Sequence, residues 1–200
     1  MAEEKAESPE ARLFIALDIP DSVRSEIETW GVGELGDPAL RPVSAQSLHL
    51  TLCFLGNRPE REIDRLGEIL RELPTVVPRI ELIGPVARPE RGRPRLYALE
   101  AVSPQTVALQ ASLRDRLVAE SLLESEKRSF WPHLTVARVR SEGCGSRRPM
   151  RVSAAPGPLL EGVKEAFGAV RVTLYRSQIQ PQGAQYTPLA QVKLSEGGRQ

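Results

Sequence analysis

Two stretches decide how this chain reads: "SLHLTLCFLG" at residues 47–56 and "FWPHLTVARV" at residues 130–139. The chain has only 2 histidines, and both open the tripeptide His-Leu-Thr. By composition, Leu-Thr follows a given residue about 0.4% of the time. The apolar run after each Thr recurs as well. A duplicated structural element is the simplest reading.

A strand turns successive side chains to opposite faces. His49, Thr51 and Cys53 therefore share one face, with Leu48, Leu50 and Leu52 on the other. In the second copy His133, Thr135 and Ala137 share a face, opposed by Leu134 and Val136. A His and a Thr two residues on stand about 7 Å apart along a strand. Both can reach one small anion lying over that face.

The flanking sequence supplies the rest of the plan. "RLFIALDIP" (12–20) reads as a buried strand ended by Pro20, and "DSVRSEIETWG" (21–31) as a helix presenting Val23, Ile27 and Trp30. "VGELGDPALRPVS" reads as loop. The stretch 59–73 is an amphipathic helix with Ile63, Leu66, Ile69, Leu70 and Leu73 on one face. "RIELIGPVARP" and "RLYALEAV" are two strands joined by a basic turn, and 104–123 is helical. A Gly/Pro/Arg-rich loop spans 141–158, "EGVKEAFG" is a short helix or turn, and "AVRVTLYRSQIQ" with "YTPLAQVKL" forms a hairpin. The expected class is α+β: two pseudo-symmetric lobes, each a mainly antiparallel sheet with helices on the outer face, around a central cleft. Each half of the chain contributes strands, a helix and one His-Leu-Thr strand. Residues 11–194 form the single bilobal domain, after a disordered lead-in at 1–10 and before a frayed end at 195–200.

Composition sets limits. A net charge of +1 gives no global field for nucleic acid, so a phosphate site must be local. The apolar stretches are too short to span a bilayer, so no membrane partner is expected. The charged start "MAEEKAESPE" lacks the apolar core of a signal peptide. Cys53 and Cys144 form neither a metal spacing nor a disulfide framework, and a cytoplasmic monomer with reduced thiols is the expectation.

Two His-x-Thr strands meeting across a pseudo-two-fold axis suit displacement at phosphorus. One neutral imidazole takes a proton from the attacking oxygen, and the other, as imidazolium, gives one to the departing oxygen. The Thr hydroxyls donate to the non-bridging oxygens, where charge builds up. A metal site needs a third ligand, and no Asp or Glu stands at ligand spacing to either His, so no metal or other cofactor is expected.

With these motifs in order, the chain resembles the two-histidine (2H) phosphoesterases, and within them the RNA 2′,3′-cyclic phosphodiesterases, also called 2′-5′ RNA ligases. "RLFIALDIP" looks like the family's opening strand, "LHLTLCFLG" and "PHLTVAR" like its two motifs, and "QYTPLAQVKL" like its closing hairpin. The resemblance implies a bilobal fold and a metal-free cleft. It implies opening of a 2′,3′-cyclic phosphate on an RNA end, such as a tRNA half or another oligonucleotide, to a 2′-phosphate, with 2′-5′ ligation as the reverse reaction. It implies His49 as acid and His133 as base, roles that the pseudo-symmetry leaves exchangeable, with Thr51, Thr135 and Arg138 on the phosphate. Other members of the superfamily open cyclic phosphates on ADP-ribose or small nucleotides, and a non-catalytic nucleotide- or RNA-binding module is the remaining alternative.

Two residues strain the simple geometry. Strict alternation puts Arg138 opposite His133, so either the strand bends after Thr135 or the guanidinium reaches round the strand end. Phe54 has the same problem; it fits both base stacking and core packing. Phe130 and Trp131 either stack on a base or ribose or brace the strand. Arg88, Arg91, Arg93 and Arg95 surround a turn that either guides an RNA backbone or is a solvated hairpin. Cys53 reads as a space-filler on the His49 face.

Overall fold

The computed structural model describes residues 9–74, 76–124, 128–143, 145–180 and 183–195. Its strands are β1 (Glu10–Asp18), β2 (Leu40–Pro42), β3 (Leu50–Pro59), β4 (Arg79–Arg88), β5 (Leu96–Val102), β6 (His133–Val139), β7 (Phe167–Gly168), β8 (Arg171–Gln180) and β9 (Gly183–Lys193). The helices are α1 (Asp21–Glu34), α2 (Ile63–Arg71), α3 (Pro104–Ala119) and α4 (Glu161–Lys164). One sheet runs β3-β1-β8-β9 and the other β2-β6-β5-β4-β7, and the neighbours within each pair antiparallel. The expected α+β class with two antiparallel sheets is what the chain forms.

The lobes are not the two halves of the chain. The sheet carrying the first motif takes β8 and β9 from the C-terminal end, and the sheet carrying the second takes β2, β4 and β5 from the first half. The interleaving ties the chain's two ends into one sheet. β3 and β6 adjoin where the sheets meet.

Local chemistry accounts for most boundaries. Pro20 closes β1 and stands at the N-cap of α1, whose buried face is Val23, Ile27 and Trp30 as the spacing predicts. The Ser103 hydroxyl accepts from the Thr106 N–H at 3.1 Å to start α3, with Pro104 in its first turn. That helix stops four residues short of the expected end. Ser121 takes a left-handed φ of 59°, and the Leu122 N–H bonds back to the Leu117 carbonyl. The helix expected over 59–73 is split. Pro59 still belongs to β3, a 3-10 turn covers Glu60–Glu62, and α2 follows. β2 lies in the stretch read as loop; its Pro42 is tolerated because β2 is an edge strand.

Glu10, expected in the lead-in, pairs with Pro59 in the sheet. Residues 1–8 lie outside the described residues. At the other end Ser195 makes a bridge to Val76, and residues 196–200 also lie outside. The loop at 141–158 is pinned by acidic side chains. Asp37 accepts from the Ser153 N–H at 2.7 Å, Glu34 from the Gly157 N–H at 2.6 Å, and Glu142 pairs with Arg93.

The core lies between the sheets and their helices. Leu13, Ile15 and Leu17 of β1, Leu50 of β3, and Leu66, Ile69 and Leu70 of α2 are all at most 1% exposed. Each such side chain contributes about 1.5–3 kcal/mol over its exposed state. Among the described residues no helix is long and apolar enough to cross a membrane.

Candidate active site

β1 with β3, and β5 with β6, are equivalent strand pairs. Ala16 faces Thr51, as Ala98 faces Thr135. Glu100 faces His133, and Asp18 sits one residue beyond the Leu17–Leu50 pair, beside His49. The sequence repeat is therefore larger than His-Leu-Thr. Ala16-Leu17-Asp18 and Ala98-Leu99-Glu100 are its other half, a signal legible in the sequence that the reading above missed. The small Ala partners keep space open over each Thr, and each His gains a carboxylate on the neighbouring strand.

The same pairs carry the same irregularity. The β1–β3 register jumps between Ile15 and Ala16, so that Leu52 is the extra residue. The β5–β6 register jumps between Tyr97 and Ala98, making Val136 the extra residue. A bulge of one residue turns every later side chain to the other face. Arg138 therefore shares the face of His133 and Thr135, lying opposite Leu96. The strand bends after Thr135, the first of the two alternatives posed above. Phe54 likewise lands on the His49 face opposite Phe14, with ring centroids 6.3 Å apart, and is 68% exposed. Core packing of Phe54 is excluded. Cys53 goes the other way. It pairs with Ile15 on the core side and is 5% exposed, so its expected place beside His49 is corrected.

The two imidazoles are held alike. His49 Nδ1 lies 2.7 Å from the Ser47 carbonyl and His133 Nδ1 lies 2.7 Å from the Trp131 carbonyl. A carbonyl only accepts, so Nδ1 carries the proton in both rings and Nε2 is left for chemistry. His49 stands just before β3, after a 3-10 turn at Ala45–Ser47. Arg24 fixes that turn by donating to the carbonyls of Ile19 at 3.2 Å, Ala45 at 2.7 Å and Leu48 at 2.6 Å. No sequence motif marks Arg24 for this role.

The surroundings differ. His49 sits among aromatic rings, with Phe14 at 4.9 Å and Tyr186 at 5.1 Å, centroid to centroid. The Tyr175 ring stacks on Phe14, and its hydroxyl donates to Asp18 at 2.8 Å. Burial and that bond push the Tyr175 phenol up to about 12. A cavity of about 470 Å³ opens beside His49, lined with Gln46, Gln180, Gln185, Tyr175 and Tyr186 among others. Burial lowers His49 to about 4, against a raising contribution from the Ser47 carbonyl and Asp18. The charge of Arg24, and to a lesser degree that of His133, lowers it further.

His133 has cationic company. Burial lowers its pKa below the usual imidazole value, and Arg88 and Arg138 add to the effect, while the Trp131 carbonyl and Glu100 oppose it. Trp131 stacks on His133 itself, 3.8 Å between centroids and 14° from parallel. It thus braces the imidazole ring. The basic turn is less of a patch than its sequence suggests, because Arg88 pairs with Glu90 and Glu100 and Arg93 with Glu142. Among the described residues no group of three or more His, Cys, Asp or Glu is arranged to hold a metal ion.

Comparison with known proteins places this chain in a family. A family model described as the 2′-5′ RNA ligase superfamily matches residues 19–145. An RNA 2′,3′-cyclic phosphodiesterase of Thermus thermophilus is 32% identical, over 94% of this chain and 93% of that protein. One of Escherichia coli is 29% identical, over 92% of this chain and 97% of that protein. The crystal structure of TT0787 of Thermus thermophilus superposes with a TM-score of 0.73 at 28% identity, covering 94% of this chain and 100% of that one. Escherichia coli LigT complexed with 3′-AMP gives 0.72 at 26% identity, covering 94% of this chain and 99% of that one.

Proposed function

The chain belongs to the 2′-5′ RNA ligase superfamily, and on that premise we propose that it hydrolyses the 2′,3′-cyclic phosphate at an RNA end to a 2′-phosphate. The observation that carries this reading is the pair of histidines. Each is anchored through Nδ1 with Nε2 free, each is followed by a cleft-facing Thr, and the two strands adjoin.

In this reading His133 Nε2 takes a proton from water as the water oxygen bonds to phosphorus. The P–O3′ bond breaks, and His49 delivers a proton to the departing O3′. Thr51, Thr135 and Arg138 bind the non-bridging oxygens as they gain charge. Burial favours neutral His49 in the free chain, so its acid role depends on the bound phosphate's negative charge, which favours the imidazolium. Glu100 beside His133 favours the imidazolium that a base must become. With a 5′-hydroxyl in place of water the same roles hold: His133 takes its proton, the P–O3′ bond breaks with His49 protonating O3′, and a 2′-5′ linkage forms. The uncharged amide and phenol lining of the cavity beside His49 suits the terminal nucleoside, and exposed Phe54 suits stacking on a base. A cytoplasmic monomer acting on tRNA halves or other cyclic-ended oligonucleotides, without a metal, belongs to the same reading.

The test is product analysis on a cyclic-ended RNA with EDTA present, beside 2′,3′-cyclic mononucleotides and ADP-ribose cyclic phosphate. A 2′-phosphate end from the RNA, with loss of at least about 10²-fold in His49→Ala and in His133→Ala, is expected. Loss of activity on chelation, restored by a divalent ion, overturns the metal-free mechanism. Turnover of ADP-ribose cyclic phosphate alone overturns the RNA assignment.

A further inference from the structure

His133 sits at one end of a chain of contacts that the acid–base mechanism does not use. Its ring stacks on Trp131 at 3.8 Å. The Trp131 Nε1–H donates to Glu100 Oε1 at 2.8 Å. Arg88 Nη2 donates to the same oxygen at 2.8 Å, and its guanidinium carbon lies 4.4 Å from the Trp131 ring centroid. Glu100 is in turn the cross-strand partner of His133. Four side chains from β4, β5, β6 and the segment before β6 thus form one closed cluster.

The pieces constrain one another. Trp131 holds the imidazole twice, through its carbonyl on Nδ1 and through its indole against the ring face. The indole is fixed by Glu100. An unpaired carboxylate at that position would repel an anionic substrate and form an ion pair with His133. Two donors on one of its oxygens offset that charge, and one of them is a cation. At His49, among the described residues, no ring stacks face to face as Trp131 does on His133, since Phe14 is tilted by 32° and Tyr186 is edge-on. The carboxylate neighbouring His49, Asp18, is committed to Thr173 at 3.0 Å, Tyr175 at 2.8 Å and Arg171 at 2.9 Å.

We propose that Glu100, Trp131 and Arg88 are the positioning residues of His133: Glu100 anchors the indole, the indole orients the imidazole, and Arg88 balances the carboxylate. The proposal rests on the reading of His133 as a reacting group, and it assigns these residues no contact with the substrate.

Among the described residues, the charges acting on His133 are Arg88 on β4, Arg138 on its own strand and Glu100 on β5; His49 couples to it more weakly, and Arg41 on β2 faces Arg138. Glu100 favours the imidazolium and Arg88 opposes it. The two therefore act on the ring with opposite sign.

The experiment titrates both imidazoles by NMR in the full chain. With only 2 histidines present, a single His49→Gln sample assigns the signals. Glu100→Gln keeps an acceptor for the indole and removes the charge, so the His133 pKa should fall. Arg88→Met should raise it, and the His49 pKa should move less in both. Kinetics run alongside. Trp131→Ala should lower kcat by up to about 10²-fold, the scale of a 1 Å misplacement, with KM nearly unchanged, and Trp131→Phe, which keeps a ring face but loses the Nε1–H to Glu100, should restore only part of the loss. Shifts of the same sign in Glu100→Gln and Arg88→Met, or a wild-type kcat in folded Trp131→Ala, overturn the proposal. Wild-type turnover in His133→Ala with the two opposite shifts intact overturns the catalytic reading instead and leaves the orienting cluster standing.

Discussion

Arg24→Met is the substitution whose consequences follow most directly from geometry. The Arg24 guanidinium makes three hydrogen bonds, to the carbonyls of Ile19, Ala45 and Leu48, and its side chain is only 15% exposed. Met keeps most of the apolar stem and removes every donor. A hydrogen bond from a charged donor contributes about 1.5–3 kcal/mol, and water reaching the vacated carbonyls recovers part of it, so the three together come to roughly 3–5 kcal/mol. A domain near the middle of the ordinary range, about 10 kcal/mol, survives that loss with a lower midpoint. The catalytic effect comes from where two of the carbonyls lie. Ala45 and Leu48 flank Ser47, whose own carbonyl sets the His49 ring. Loosening the turn should displace Nε2 and lower kcat by up to about 10²-fold. Urea unfolding gives the stability term, and kcat is measured well below the urea midpoint, where the variant is folded. Arg24→Lys, which cannot reach three carbonyls at once, should fall between wild type and Arg24→Met in both measurements. A wild-type midpoint, or a wild-type kcat in the destabilised variant, would refute the reasoning.

Thr51→Val and Thr135→Val keep the branched strand residue and delete the donor, so each should lower kcat by roughly 10–10³-fold with little change in KM; a rise in KM alone would make them ground-state binders. Arg138→Met should raise KM and flatten its salt dependence, because the bulge at Val136 turns the guanidinium into the cleft; an unchanged salt slope counts against that placement. Stability should fall as pH drops from about 6.5 toward 4. There the unfolded chain protonates a histidine that burial keeps neutral in the fold, held near pKa 4. The loss is on the order of 3 kcal/mol, and His49→Gln should flatten the slope of unfolding midpoint against pH in that window.

The sequence exposed what depends on neighbours along the chain. Pro20 followed by Asp21 marks a strand end and a helix start wherever the segment folds, and the Val23, Ile27, Trp30 spacing declares its buried face. Partners distant in sequence left no such mark. Nothing in "AVRVTLYRSQIQ" says that it pairs with β1 across the whole chain, so the lobes were read as halves. Nothing local to Arg24 points to carbonyls 21 and 24 residues away. The strand bulges were hidden for a different reason. A period-two template has no place for an extra residue, so it carried Phe54 and Arg138 to the core side and Cys53 to the cleft. A guanidinium buried without a partner is costly enough that the template's own placement of Arg138 was a warning of the bend.

The matched bulges also explain why a symmetric scaffold can handle an asymmetric substrate. In both copies the residue five positions after the His returns to the cleft face: Phe54 in one, Arg138 in the other. A strictly alternating strand would have buried both, and the two motifs would then present His, Thr and a small residue, Cys53 or Ala137, with little difference between the sides. With the bulge, the shared residues carry the proton transfers and the sixth residue sets the two sides apart. On the His49 side Phe54 joins Phe14, Tyr175 and Tyr186 in an aromatic wall next to a neutral cavity. On the His133 side Arg138 shares its face with Arg41 and lies on the sheet that carries Arg88. In the proposed reaction the first side takes a nucleoside and the second takes anionic oxygen. The direction of attack on phosphorus is then set by which groups the sides attract, while the histidines remain near-copies of each other.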